Sequence, residues 1–230
     1  MSTRAFAARA SAGAPTILDE TESHYLRRVR RLADGARVEL ITDDGELWSA
    51  TLAGGDARRS ELQVHAPIPV AAPARELVLL LGLPEPTATL ELLPGIVELG
   101  VAAVVWVRCA RSQTSPPGEP RVQRVVRAAQ RQCGRPRPPA FLGPLALADA
   151  LATRTDLRGF FAWEARRGAA DDPLPAAAGA RLCVGPEGGF TEAEAHALTR
   201  AEFTALSLGP YTLRTGTAAL VGLARLLFAP

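Results

Sequence analysis

Two short stretches near the end of the chain hold residues that could seat a ligand against backbone groups. The first is Leu182-Cys183-Val184-Gly185-Pro186-Glu187-Gly188-Gly189-Phe190-Thr191-Glu192-Ala193-Glu194. The second is Leu206-Ser207-Leu208-Gly209-Pro210-Tyr211-Thr212-Leu213-Arg214-Thr215-Gly216-Thr217-Ala218. Each reads as a buried strand, a glycine-bearing loop and the start of a helix. Leu182 to Val184 is an apolar run stopped by Gly185-Pro186. Thr191 with Glu194 three residues on forms a capping box that opens a helix through Ala201. Gly209-Pro210 ends the second strand, and Thr215 or Thr217 starts an apolar helix over Ala218 to Phe228. A glycine loop between strand and helix is ordinary turn chemistry when it stands alone. Two of them at the carboxyl ends of strands match the place where an open α/β sheet holds its ligand, with glycine letting N–H groups come close.

Gly185-Pro186-Glu187-Gly188-Gly189-Phe190-Thr191, followed by Leu208-Gly209-x-x-x-Leu213-Arg214-Thr215-x-Thr217-Ala218, resembles the signature of the RsmE family. These are SPOUT-superfamily methyltransferases that modify N3 of a uridine in small-subunit ribosomal RNA. The resemblance implies an α/β carboxyl-terminal domain with a trefoil knot, which binds S-adenosylmethionine and pairs as a homodimer. It extends to Glu22-Ser23-His24-Tyr25-Leu26-x-x-Val29-Arg30-Arg31-Leu32-x-x-Gly35, similar to the family's PUA-like RNA-binding domain. Gln132-Cys133-Gly134-Arg135 resembles a further family motif, and Arg4-x-Phe6 an early Arg-x-Phe.

Composition sets wider bounds. At 230 residues, 47% hydrophobic and 22% charged, the chain is ordinary globular material for one large or two modest domains. All 26 basic residues are arginine, so no lysine can act as base, nucleophile or phosphate ligand. The net charge of +2 names no partner. Its distribution says more: Arg108 to Arg137 holds arginines 108, 111, 121, 124, 127, 131, 135 and 137 against the single acid Glu119, which suits a phosphate backbone. Cys109, Cys133 and Cys183 lack Cys-x-x-Cys spacing, and His24, His65 and His196 stand far apart. That argues against a disulfide framework or a metal site. With no signal-like or membrane-spanning run, the expected location is the cytoplasm.

The chain divides at the proline-rich linker 67–73. Before it, residues 1–20 are weakly patterned and read as a frayed start. Glu22 to Val29 reads as a helical turn with Tyr25, Leu26 and Val29 on one side. Val38–Thr42, Trp48–Leu52 and Leu62–Ala66, with turns at Asp44-Gly45 and Gly54-Gly55, suggest a small antiparallel barrel over 1–70. After it, Glu76–Leu83, Val104–Val107 and Gly159–Trp163 read as strands and Arg121–Gln132 as a helix, an α/β domain over 74–230. Pro94-Gly95 inside Leu90–Leu99 predicts a short, kinked or displaced helix there, because an interior proline costs about 3 kcal/mol. The last helix is apolar nearly all round, so it is either deeply buried or shared across a dimer.

Candidate roles follow. Backbone of Leu81-Gly82, Val184-Gly185, Glu187-Gly188 and Leu208-Gly209, with Tyr211, Leu213 and Thr217, would bind the cofactor. Arg214 would stabilise charge on the uracil oxygens, and Glu98 would accept the N3 proton, with Glu187 as another acid. A structural salt bridge is the alternative for Arg214, and a structural cap or surface charge for Glu98 and Glu187. Arg27, Arg30, Arg31, Arg124, Arg127, Arg131 and Arg135 would contact RNA, the last four on or just beyond one helix face. A solvated arginine face is the alternative. Two departures from the family pattern stand out: Gly216 where a glutamate is usual, and no lysine in the helix before Glu98-Leu99-Gly100. They leave room for a paralogue acting on another RNA site, or for a non-catalytic RNA-binding or assembly factor.

Overall fold

The computed structural model describes residues 2–112, 115–168 and 179–229. It divides into two units, residues 1–72 with 130–138, and residues 73–129 with 139–230.

The first unit begins with strand β1 (Arg4–Ala7) and β2 (Pro15–Ile17), then helix α1 (Glu20–His24). Strands β3 (Arg37–Thr42), β4 (Leu47–Gly55) and β5 (Ser60–Pro67) follow. They form one sheet in the order β1-β3-β4-β5-β2. All neighbours are antiparallel except β1 and β3, which run parallel. The start of the chain is therefore not frayed. Ala5 and Phe6 are buried, and pairing with β3 satisfies backbone groups that composition alone gave no reason to order. The sheet wraps Leu18, Leu26, Val38, Leu40, Leu52, Leu62 and Val64. Gly54-Gly55 does not turn the chain. Both residues lie in β4, and the turn falls at Asp56–Arg59, where the Asp56 carboxylate accepts the Arg58 and Arg59 N–H groups.

Val29 is also displaced from its expected face. After α1 the chain widens into a π-type turn over Tyr25–Val29, closed by Arg30 N–H donating to the Tyr25 carbonyl. The wider turn buries Leu26 but rotates Val29 outward, where it is 60% exposed.

The second unit is a six-stranded, all-parallel sheet. Its strands are β6 (Glu76–Gly82), β7 (Ala103–Arg108), β8 (Ala140–Ala146), β9 (Arg158–Ala162), β10 (Gly179–Val184) and β11 (Thr204–Leu206). The order is β11-β9-β10-β6-β7-β8. Central strands β6 and β10 are buried on both faces, as continuous apolar runs in parallel sheets are. Alternate residues feed two cores. Leu77, Leu79, Leu81, Leu182 and Val184 meet helices α2 (Pro86–Glu98), α3 (Glu119–Cys133) and α6 (Thr215–Leu227). Val78, Leu80 and Cys183 meet α4 (Leu147–Leu151) and α5 (Glu192–Arg200).

Helix α2 runs thirteen residues straight through Pro94. Burial of Leu92, Leu93, Ile96 and Val97 offsets the proline, since each such side chain contributes about 1.5–3 kcal/mol. Gly95 then lets α6 approach: a Cβ there would stand 2.6 Å from Leu220 Cδ2. Helix α6 buries Ala218, Ala219, Leu223 and Leu226 and leaves Val221 exposed, as is Phe228 just past its end. It is one-sided rather than engulfed.

Arg131, in the last turn of α3, belongs to the first unit's core. It pairs with the buried Glu22 carboxylate at 2.5 Å and lies over the Tyr25 ring at 3.9 Å. Glu22 also accepts the Phe6 N–H. Removing one partner of such a pair strands a buried charge, so Arg131→Met should lower the protection of β3 and β4 amides in hydrogen exchange by about 3 kcal/mol. Arg124→Met should change it by less than about 0.5 kcal/mol.

Candidate cofactor cleft

Because the sheet is all parallel, the carboxyl ends of β9, β10 and β11 open on one edge, and the loops that leave them line one cleft. The cleft is a half-open groove, walled by these loops and continuous with solvent.

The loop after β10 is held by its own turn, Gly189 N–H donating to the Pro186 carbonyl at 2.8 Å. Gly189 adopts a φ of +69°, which favours glycine. The capping box is formed: Thr191 Oγ1 accepts from Glu194 N–H at 3.2 Å, and Glu194 Oε2 accepts from Thr191 N–H at 2.8 Å. The loop after β11 turns at Gly209, with a φ of +116°. Arg214 is the N-cap of α6 and Thr215 its first helical residue.

The loop after β9 completes the cleft with Trp163, Glu164 and Arg167. It is joined to the β11 loop by Gly168 N–H donating to the Gly209 carbonyl at 3.1 Å and Arg167 Nη1 donating to Thr212 Oγ1 at 2.8 Å. Apolar Val184, Leu206, Leu208, Leu213 and Phe190 face the same space. Backbone-rich loops, an apolar wall and a few polar groups suit a nucleoside with a thioether-like chain.

Of the expected cofactor residues, Val184, Gly185, Glu187, Gly188, Leu208, Gly209, Tyr211 and Leu213 line the cleft. Leu81, Gly82 and Thr217 do not. Leu81 is fully buried in the core. Gly82 lies beneath the β10 loop, where a Cβ would come 2.7 Å from Pro186 Cδ. Thr217 is exposed one turn into α6. The loop after β6 is tied to the β10 loop, Glu85 N–H donating to Glu187 Oε1 at 2.8 Å, while the Glu85 carboxylate caps α2 by accepting the Thr87 and Ala88 N–H groups. The N–H groups of Thr87 and Ala88 hold the Glu85 carboxyl below its usual range. The β9 loop was missed, although Trp, Glu and Arg directly after an apolar strand obey the same carboxyl-end rule.

Glu98 does not reach the cleft. It is exposed at the last residue of α2, which starts at the carboxyl edge of the sheet and runs back along it. Twelve helical steps carry it about 18 Å away. Among the described residues, the acidic side chains bordering the cleft are Glu164 and Glu187. Arg214 is exposed between Leu213 and Thr215, both cleft residues.

The arginines separate by role. Arg124 and Arg127 are exposed on α3, but Arg131 is withdrawn into its ion pair. Arg27 is structural, bonded to Ser60 Oγ, Asp34 and the carbonyls of Leu32 and Gly54. Arg30 and Arg31 are exposed. Arg135 is half-buried, and that burial lowers its pKa. Among the described residues, no group of His, Cys, Asp and Glu is arranged to hold a metal ion.

Residues 71–227 match the RNA methyltransferase domain model and residues 18–64 the RNA methyltransferase PUA domain model. Ribosomal RNA small subunit methyltransferase E of Mycobacterium bovis is 30% identical, over 92% of this chain and 85% of that protein. The chain belongs to the RsmE family. The Synechocystis member is also 30% identical, over 93% of this chain and 73% of its own. The Neisseria gonorrhoeae member, solved bound to S-adenosylmethionine, superposes with a TM-score of 0.85 at 25% identity, covering 97% of this chain and 96% of that one. A Legionella pneumophila protein solved with the same cofactor shares the fold, with a TM-score of 0.84 at 22% identity.

The thiols near the cleft should be inert. Burial, with Glu194 nearby, pushes Cys109 up to about 12, and burial raises Cys183 as well. A thiol reagent at neutral to mildly alkaline pH should therefore modify exposed Cys133 alone in the native protein, and all three cysteines in denaturant.

Proposed function

We propose that this RsmE-family chain methylates N3 of a uridine in small-subunit ribosomal RNA, using S-adenosylmethionine held in the cleft at the ends of β9, β10 and β11. The observation that carries the reading is the convergence of the Gly185–Phe190 and Leu208–Thr215 loops in one cleft, in a chain whose curated relatives carry the rRNA methyltransferase name. The fit rests on the residues present: glycine loops for backbone contacts, and Val184, Leu206, Leu208 and Leu213 for adenine and the thioether chain. When bound, S-adenosylmethionine supplies a methyl group on a positively charged sulfur, open to in-line attack.

The chain's own residues orient the uracil, keep water out and stabilise charge. As N3 loses its proton, negative charge spreads to the uracil oxygens. We assign that task to Arg214, a cation exposed between the cleft residues Leu213 and Thr215. The acid expected to accept that proton moves from Glu98 to the cleft's own carboxylates, of which Glu187 is already engaged by Glu85. Gly216 leaves Arg214 without the neighbouring acid usual in the family, and open space surrounds it: a Cβ there would meet nothing within 4 Å. An orienting partner is lost, but the cleft loops are intact, which disfavours a non-catalytic relic. Exposed Arg30 and Arg31 in the PUA-like unit, and Arg124 and Arg127 on α3, supply positive charge for the RNA backbone. We further propose a cytoplasmic homodimer with a knotted carboxyl-terminal segment. Val221 and Phe228, exposed on and beside α6, supply an apolar face for pairing.

Two measurements test this reading. Arg214→Ala should reduce methyl transfer to small ribosomal subunits at least about a hundred-fold, while calorimetry finds its S-adenosylmethionine affinity within a few-fold of wild type. Unaltered turnover would remove Arg214 from the mechanism. Replacing Arg124 and Arg127 together should weaken RNA binding and flatten the slope of log K against log salt by about one to two units. An unchanged slope would make the α3 face a solvated surface.

A further inference from the structure

The loop after β7 carries an arginine that the cofactor reading leaves unused. Arg111 Nη1 donates to the Gly188 carbonyl at 2.6 Å and reaches the Phe190 carbonyl at 3.4 Å. Its stem lies along the same backbone: a Cβ on Gly188 would stand 3.0 Å from Arg111 Cβ and 3.2 Å from its Cδ. A second bond fastens the two segments, Ala110 N–H donating to Glu194 Oε1 at 2.7 Å. Ser112 closes the brace, its Oγ accepting the Cys109 N–H at 3.1 Å and its N–H donating to the Cys109 carbonyl at 3.0 Å. Arg111 itself does not line the cleft. It touches the back of a loop whose front does.

We propose that Arg111 is a positioning residue for cofactor binding, fixing the peptide planes of Gly188 and Phe190 before the ligand arrives. The inference rests on the cleft being the S-adenosylmethionine site. The loop holds Gly185, Gly188 and Gly189, and glycines lose more conformational freedom on ordering than any other residue. A loop already fixed in the free protein spares the bound state that cost. A charged donor on two carbonyls is a strong way to fix it. The same contact makes Gly188 a tight fit: a Cβ there would press on the arginine stem, so the small residue serves the brace as well as the cleft.

The test is S-adenosylmethionine calorimetry on the full-length protein, with steady-state methyl transfer to small ribosomal subunits and thermal unfolding alongside. Arg111→Ala should raise the Kd and the KM for S-adenosylmethionine about ten-fold or more, leaving kcat at saturating cofactor within about two-fold, as expected for one charged hydrogen-bonding group acting on binding alone. Arg111→Lys, which keeps a cation on a long stem, should recover part of the affinity. If the Ala variant unfolds, Arg111→Gln takes its place in the same comparison. A Kd within about two-fold of wild type in the Ala or Gln variant would overturn the proposal. Failure of the wild-type protein to bind S-adenosylmethionine would instead refute the cofactor reading, and this inference with it.

Discussion

The structure of the second unit depends on β10 lying between β6 and β9, parallel to both. Its six residues are all buried, and they pair with Glu76–Leu81 on one side and Arg158–Phe161 on the other. Parallel pairing sends every strand's carboxyl end to the same edge. The loops of β9, β10 and β11 therefore meet there, with those of β6 and β7 braced behind them. A strand inserted the other way would carry Gly185–Phe190 to the opposite edge and leave no cleft. Burying Leu182, Cys183 and Val184 thus serves more than stability, because it fixes where the glycine loops emerge.

The cleft is built from main chain more than from side chains. Gly168 to Gly209, Arg167 to Thr212 and Glu85 to Glu187 tie neighbouring loops together. Each bond crosses between segments distant in sequence, so the loops hold one another as well as being held by the sheet. In a chain without lysine, arginine takes on several structural tasks at once. Arg27 bridges a loop and a strand end, Arg131 neutralises a buried glutamate, and Arg181 donates to the carbonyls of Leu151, Thr153 and Leu157. Arginine suits such work because its planar fork offers five donors and keeps its charge when partly buried.

Much of this was legible from local signals. The apolar runs of β6 and β10, the Thr191–Glu194 capping box and the glycine loops each carry a period or a turn chemistry that one segment displays alone. What could not be read depended on distant partners. Strand β1 is ordered by pairing with β3, and no residue of 1–20 announces that. Strand β8 lies at the sheet edge and is mostly solvent-facing, and Gly143-Pro144 breaks its apolar residues into two pieces too short to read as a strand. Arg131 shares the spacing of Arg124 and Arg127, yet a buried Glu22 more than a hundred residues away withdraws it. Glu98 looked chemically suitable, but helix direction sends it to the wrong edge. Spacing places a side chain on a face; only the fold says what that face meets.

The most direct measurement is methyl transfer from labelled S-adenosylmethionine to small ribosomal subunits that lack the uridine modification, with the product mapped by mass spectrometry. The account predicts label on N3 of a single uridine, with Gly216 in place and no change to the chain. Cofactor binding without any label on small-subunit RNA would contradict it, and would mean that the same cleft serves another RNA.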